Sequence, residues 1–156
     1  MDLPREGKGM DIVEIKAFSE DLHQALNVLL PQLSTAAPLL TESALRRIIA
    51  AGTSHLLMAL EEGNYCGTLT LVMIIAPAGK RARIEDVVVS EAMRGRGIGR
   101  LLISRALELA RNLGAGSIEL TSHPSRRAAN ALYKKMGFRE RRTNAYHYDL
   151  GKPHGR

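Results

Sequence analysis

The stretch RGRGIGRLL (Arg94–Leu102) follows a strand-like run, ARIEDVVV (Ala82–Val89), and opens an apolar helical repeat. Three glycines at alternate positions, Gly95, Gly97 and Gly99, leave the turn without Cβ atoms at the mouth of a helix. Any fold of this chain must therefore accommodate a strand, a bare turn and a helix in succession. Past the turn, Ile98, Leu101, Leu102, Ala106, Leu109, Ala110 and Leu113 recur at helical spacing, with Arg100, Ser104, Glu108 and Arg111 on the opposite face. Gly114 and Gly116 end this helix, and SIELTS (Ser117–Ser122) supplies the next strand, which closes a βαβ unit.

The remaining elements are marked by caps and turns. DIVEIKAF (Asp11–Phe18) alternates as a strand, and Ser19 caps a helix expected to run to about Leu30, where Pro31 stops it. Thr41 caps ESALRRIIAAG, which ends at Gly52. SHLLMALEE and YCGTLTLVMIIAP are apolar strands on either side of Gly63–Asn64, hence a hairpin, and PAGKR turns the chain into Ala82–Val89 as a third antiparallel strand. A helix from about Arg126 to Met136 is broken by Gly137, and FRERR and AYHYDL read as a closing hairpin. The order β-α-α-β-β-β-α-β-α-β-β predicts an α/β (α+β mixed) fold: a central mixed, mostly antiparallel twisted sheet flanked by helices. One domain over 11–150 is expected, with residues 1–10 as a flexible leader and 151–156 as a flexible tail.

Composition narrows the functional classes. At 156 residues, 45% hydrophobic and 24% charged, the chain suits one globular domain. It has no apolar run long enough for a bilayer and no signal-peptide core, so a cytoplasmic location and no membrane partner are expected. A single cysteine, Cys66, excludes an internal disulfide and reads as a small core residue in a strand rather than a nucleophile. The net charge of +6 invites a nucleic-acid partner, but the basic residues are scattered and aromatics are only 4%. No Cys/His spacing suggests a metal site. Neither nucleic acid nor metal is expected, whereas a basic surface also suits a small polyanion.

The glycine turn points to what that polyanion is. A helix N-terminus has unpaired N–H groups and the positive end of the helix dipole. Glycines just before it let several N–H groups converge on one phosphate pair, with Arg94, Arg96 and Arg100 adding charge. The turn thus reads as a diphosphate cradle. Two common cradles fail on spacing: no G-x-x-x-x-G-K-[ST] string exists, and a G-x-G-x-x-G fingerprint would need glycine where Arg100 or Leu102 stands.

At these residues the chain resembles the GNAT N-acetyltransferase superfamily, whose pyrophosphate loop reads [QR]-x-x-G-x-[GA]; Arg94-Gly95-Arg96-Gly97-Ile98-Gly99 fits it throughout. AANALYKKMGF (Ala128–Phe138) is similar to a second motif of the family, N-x-x-[AL]-x-x-[FY]-[YE]-x-x-G-[FY], with Asn130, Tyr133, Gly137 and Phe138 in register. The resemblance is specific from about Ala82 to Leu150. It implies a single GNAT-like domain with acetyl-CoA (CoA) as cosubstrate, its pyrophosphate taking bonds from N–H groups over Arg94–Arg100. It implies also that the pantetheine arm lies along Val87, Val88 and Val89 like an added strand, and that Asn130 holds the cofactor by its amide.

The reaction so implied is direct attack of a primary amine on the thioester, which calls for a base near the amine and an acid near sulfur. The acidic residues of the cofactor strand are Glu85 and Asp86, which plain alternation sets on opposite faces. IED-x-x-V resembles the corresponding strand of polyamine and glucosamine-6-phosphate acetyltransferases, where the glutamate deprotonates the amine, so Glu85 is the expected base. Register with the family's acid tyrosine makes Tyr133 the expected acid, and Tyr133 also borders the cofactor. His123, in a loop, is read as solvated. A small amine metabolite, an aminoglycoside, a peptide N-terminus and a lysine all fit as acceptor, and a homodimer is compatible with the sequence. The competing readings are a non-catalytic acyl-CoA sensor or scaffold of the same fold and, from charge alone, a nucleic-acid binder.

Overall fold

A computed structural model describes residues 9–151. Of the leader expected over 1–10 and the tail expected over 151–156, residues 1–8 and 152–156 lie outside the described residues. The chain divides between Thr121 and Ser122 into two compact units.

In the first unit, strands β1 (Met10–Glu14), β2 (Ser54–Glu61), β3 (Asn64–Ala76), β4 (Gly79–Val89) and β5 (Ile118–Glu119) form one sheet in the order β1-β2-β3-β4-β5. The first four pair antiparallel and β5 joins β4 in parallel, as the meander followed by a βαβ crossover requires. β1 starts at Met10, within the expected leader, and pairs Met10 with Glu61. The β2–β3 turn is Glu62–Gly63, one residue before the expected pair, with φ of 50° and 81°. Two positive φ values in a two-residue loop give the twist that antiparallel strands need.

Helices α1 (Glu20–Leu33) and α2 (Glu42–Ala50) begin at the predicted caps: the Ser19 hydroxyl accepts from the Leu22 N–H and Thr41 from Ala44, each at 3.2 Å. Pro31 does not stop α1, which runs three residues beyond Leu30. Lacking an N–H, Pro31 removes one hydrogen bond in the last turn, where the helix has little left to lose.

The sheet has two covered faces. On one, Leu22, Leu26 and Leu29 of α1 recur at helical spacing and pack with Leu45 of α2, Leu56 and Met58 of β2 and Val88 of β4. Each of these leucines is at most 5% exposed, and such burial is worth about 1.5–3 kcal/mol per side chain. Strand alternation turns Leu57, Ala59, Gly67 and Leu69 to the other face. There α3 (Ile98–Asn112) buries Ile98, Leu102, Ile103, Ala106, Leu109 and Ala110.

The second unit contains α4 (Arg127–Lys135), followed by a turn at Gly137 with φ of 93°. The expected closing hairpin is not formed: 138–149 carries no strand among the described residues. Arg139-Glu140-Arg141-Arg142 puts four charges in a row, so its first half has no apolar face to bury. In its second half Tyr146 is 90% exposed.

Candidate functional site

Two features of β4 set the site. Its ladder with β5 consists of Ala82↔Ile118 and Arg83↔Glu119 alone, while its ladder with β3 continues to Val89. The two parallel strands thus part after Arg83, and β4 from Ile84 to Val89 runs on without β5 beside it. Val88 is buried here, and Val87 and Val89 are half-buried. This is an apolar strand edge able to accept an extended, amide-bearing ligand arm.

The second feature is a bulge. Thr70 pairs with Glu85 and Thr68 with Val88, so Leu69 faces two residues, Asp86 and Val87. Asp86 adopts φ of 52°, the left-handed conformation that aspartate tolerates better than most residues. The extra residue breaks the plain alternation expected from the sequence. Glu85 consequently shares a sheet face with Val88, the face covered by α1 and α2. Its carboxylate pairs with Arg83 Nε, and Arg83 Nη2 donates to Thr121 Oγ1 at 3.2 Å. Arg83 thereby holds Glu85 at the point where the strands part.

Burial, reinforced by the neighbouring Glu85, pushes the Asp86 carboxyl above the usual aspartate range. An acid raised in the folded state opposes folding when ionised. The opposition is fully present at neutral pH, fades as pH falls through the folded value, and is gone below the unfolded value of about 3.9. Asp86→Asn keeps the tolerance for positive φ and removes the charge. Because the residue as a whole is exposed and its carboxyl only partly withdrawn from water, we expect the variant to melt higher than wild type at pH 7 by only on the order of 1 °C. Thermal scans from pH 7 to 3 should show the two curves converging in acid. A constant difference across that range would assign the effect to something other than the carboxylate.

Beyond β4 the chain is anchored stepwise. The Ser90 N–H donates to Cys66 O at 2.9 Å, and a short 3₁₀ turn follows at Glu91–Met93. Arg94 Nε donates back to Val89 O at 3.1 Å, and its guanidinium lies 3.9 Å from Glu91. Gly95 and Gly97 then take φ of 78° and 79°, and among the described residues a Cβ built at either meets no atom within 4 Å beyond its own chain neighbours. Gly97 caps α3 with no side-chain hydrogen bond, and the first turn has no acidic residue. The first backbone bond of the helix is Leu101 N–H to Gly97 O, at 3.1 Å. The N–H groups of Ile98, Gly99 and Arg100 accordingly have no helical acceptor. The space over Gly95 and Gly97 and the uncapped N–H groups beyond them fit a diphosphate.

The three arginines are not equivalent. Arg100 is exposed on the first turn of α3. Arg94 is tied to its own strand, as described above. Arg96 is engaged by Glu61 at the end of β2, through Nη1 to Oε2 at 2.9 Å and Nη2 to Oε1. Glu61 and Gly67 are contributions that the reading of the sequence missed. A Cβ at Gly67 would lie 3.3 Å from Leu102 Cδ1, 3.3 Å from Val88 O and 3.4 Å from Ile98 Cγ2. The glycine thus lets the first turn of α3 sit close on the sheet. An isolated glycine inside YCGTLTL was the available signal for such an approach.

In the second unit Asn130 and Tyr133 lie three residues apart on α4, on one side of the helix. Asn130 Nδ2 donates to His123 O at 3.0 Å, so its amide nitrogen is engaged in holding the preceding loop, and His123 Nδ1 lies 2.8 Å from Ser125 Oγ. Tyr133 is 7% exposed and its ring meets Phe138 edge-on at 5.9 Å. Burial pushes its phenol above the usual tyrosine value, with Arg126 partly opposing. Burial likewise raises the Cys66 thiol, with Glu61 adding to the effect, which suits the core role expected of it. Among the described residues no group of His, Cys, Asp and Glu is arranged to hold a metal ion, and no helix is long and apolar enough to cross a membrane.

A strand edge leading into a glycine cradle at a helix start has the shape to take an extended ligand that ends in phosphate groups. Residues 20–138 match the acetyltransferase (GNAT) family. The chain is 32% identical over 131 residues to glucosamine 6-phosphate N-acetyltransferase 1 of Oryza sativa subsp. japonica, covering 78% of this chain and 77% of that one. It is 34% identical over 88 residues to the aminoalkylphosphonate N-acetyltransferase of Salmonella typhimurium, covering 55% of this chain and 57% of the other. The crystal structure of glucosamine-6-phosphate N-acetyltransferase from Arabidopsis thaliana superposes with a TM-score of 0.75 at 19% identity, over 90% of this chain and 98% of that chain, a likeness of fold. The chain belongs to the acetyltransferase (GNAT) family and is an acyltransferase.

Proposed function

We propose that the protein transfers the acetyl group of acetyl-CoA to the primary amine of a small molecule by direct attack on the thioester. The observation that carries this reading is the continuity of the open β4 edge with the cradle of Gly95 and Gly97 at the uncapped start of α3. Acetyl-CoA supplies the activated acetyl group. The N–H groups from Arg94 to Arg100 hold the pyrophosphate, and the Val87–Val89 edge pairs with the pantetheine amides. Glu85, fixed by Arg83, takes the proton that the amine must lose as its nitrogen bonds to the acetyl carbon. Tyr133 gives its proton to sulfur as the carbon–sulfur bond breaks, and Asn130 supports the arm. The bulge at Asp86 sets Glu85 on the sheet face of α1 and α2, which we read as the side on which the acceptor is shaped.

Two relatives act on amines that carry a phosphate or phosphonate, so an acceptor screen begins with glucosamine 6-phosphate and aminoalkylphosphonates, then aminoglycosides, polyamines and peptide N-termini. The assay is thiol release from acetyl-CoA. The expected result is amine-dependent release well above hydrolysis for at least one small amine, with the acetylated amine recovered. Tight CoA binding with no release across the whole panel would replace the enzyme reading with that of an acyl-CoA sensor.

A further inference from the structure

The Glu61–Arg96 pair joins two parts of the chain that sequence reading leaves unconnected. Arg96 stands between Gly95 and Gly97, the two positive-φ residues of the cradle. Its position in the loop suggests a phosphate ligand, yet both carboxylate oxygens of Glu61 engage its guanidinium, and Nη1 also lies 3.1 Å from Met93 Sδ. Entry to the loop is fixed separately, by Ser90 N–H on Cys66 O and Arg94 Nε on Val89 O. Among the described residues, the contact with Glu61 is what ties the middle of the loop to β2.

We infer that Glu61 is a positioning residue for the cofactor: through a two-point bond to Arg96 it holds the glycine loop in its phosphate-accepting shape. The inference rests on the acetyl-CoA reading above and adds a role for a residue on another strand. Two flexible glycines make the loop costly to order, and a ligand that must order it binds more weakly by that cost. A planar guanidinium gripped at both ends fixes direction as well as distance. The side chains are 50% and 30% exposed, so the pair adds little to global stability. Its effect is expected in binding.

The sign of the effect separates this role from simple electrostatics. Glu61 carries a negative charge close to where a polyanion is to bind. If charge alone mattered, removing it would tighten CoA binding. If Glu61 shapes the loop, removing it weakens binding.

The test is equilibrium CoA binding by calorimetry to wild type, Glu61→Ala, Arg96→Ala and the double variant, with a thermal scan of each without ligand. We expect Glu61→Ala to raise the Kd for CoA about three- to tenfold and to keep the ligand-free Tm within about 2 °C of wild type. The double variant should bind no more weakly than the weaker single variant. Unchanged or tighter binding by Glu61→Ala overturns the inference. So do losses that multiply in the double variant, which would mean that Arg96 acts on the ligand directly, and so does a fall of several degrees in Tm alongside the Kd. Failure of wild type to bind CoA at all is a different result: it removes the acetyl-CoA reading and this inference with it.

Discussion

Gly97→Val is expected to abolish CoA binding while leaving a folded protein. At φ of 79° and ψ of 6°, Gly97 occupies a conformation that costs an L-residue about 1–2 kcal/mol, more for a β-branched one. For a chain of this length that is a fall in Tm of about 2–8 °C. Among the described residues, no atom beyond its own chain neighbours and helix backbone lies within 4 Å of the missing Cβ, so valine meets no tertiary clash there. The space it fills is the one read as belonging to the pyrophosphate. CoA at a hundredfold excess over Kd should stabilise wild type by about 2.7 kcal/mol, a rise of roughly 5–10 °C. The variant should show none. Gly97→Asn, which tolerates positive φ, separates bulk from backbone strain and should also lose the shift. A ligand-induced rise equal to wild type in either folded variant would remove the pyrophosphate from this turn.

Tyr133→Phe is expected to keep the fold and CoA affinity but lower turnover about 10²–10⁴-fold. The ring is buried against Phe138 and the hydroxyl has no hydrogen-bond partner among the described residues, so its removal orphans no group. Because burial raises the phenol above its usual value, it stays protonated through neutral and mildly alkaline pH and can donate to a departing thiolate. Any alkaline fall in activity that Tyr133 causes must therefore lie above the ordinary tyrosine pKa, and the phenylalanine variant should lack it. Single-turnover rates with a confirmed acceptor decide the matter. A wild-type chemical step in the variant would leave Tyr133 a packing residue.

What could be read from the sequence was whatever local physics announces. Ser19 and Thr41 signalled helix starts because a hydroxyl before an apolar repeat serves the same orphan N–H groups in any fold. The Ala82–Val89 strand, the glycine turn and α3 were legible for the same reason: each element carries its own periodicity. Pro31 misled because its cost depends on how much helix remains beyond it. The closing hairpin misled because alternation in AYHYDL marks strand capacity, whereas pairing needs a partner that FRERR does not supply. The Glu61–Arg96 bond was out of reach, since it joins residues 35 apart that meet only once β2 and the loop are in place. Gly67 was legible in principle: a glycine amid large apolar strand residues asks what comes close.

The bulge at Asp86 acts on the strand as a change of phase. Without it, Glu85 and Val88, an odd number of residues apart, would point to opposite sides of the sheet. With it, one residue is spent on the turn of the backbone, and both come to the side of α1 and α2. The candidate base and a core anchor are thereby made to share a face, so the carboxylate is indexed to the packing beneath α1 rather than to α3 on the other face. Loss of a single residue between them would leave composition and charge almost untouched. It would remove the bulge yet leave carboxylate and anchor two residues apart and on one face. Straightening the strand at its present length would instead set them on opposite faces and force a choice between a packed core and an aimed base.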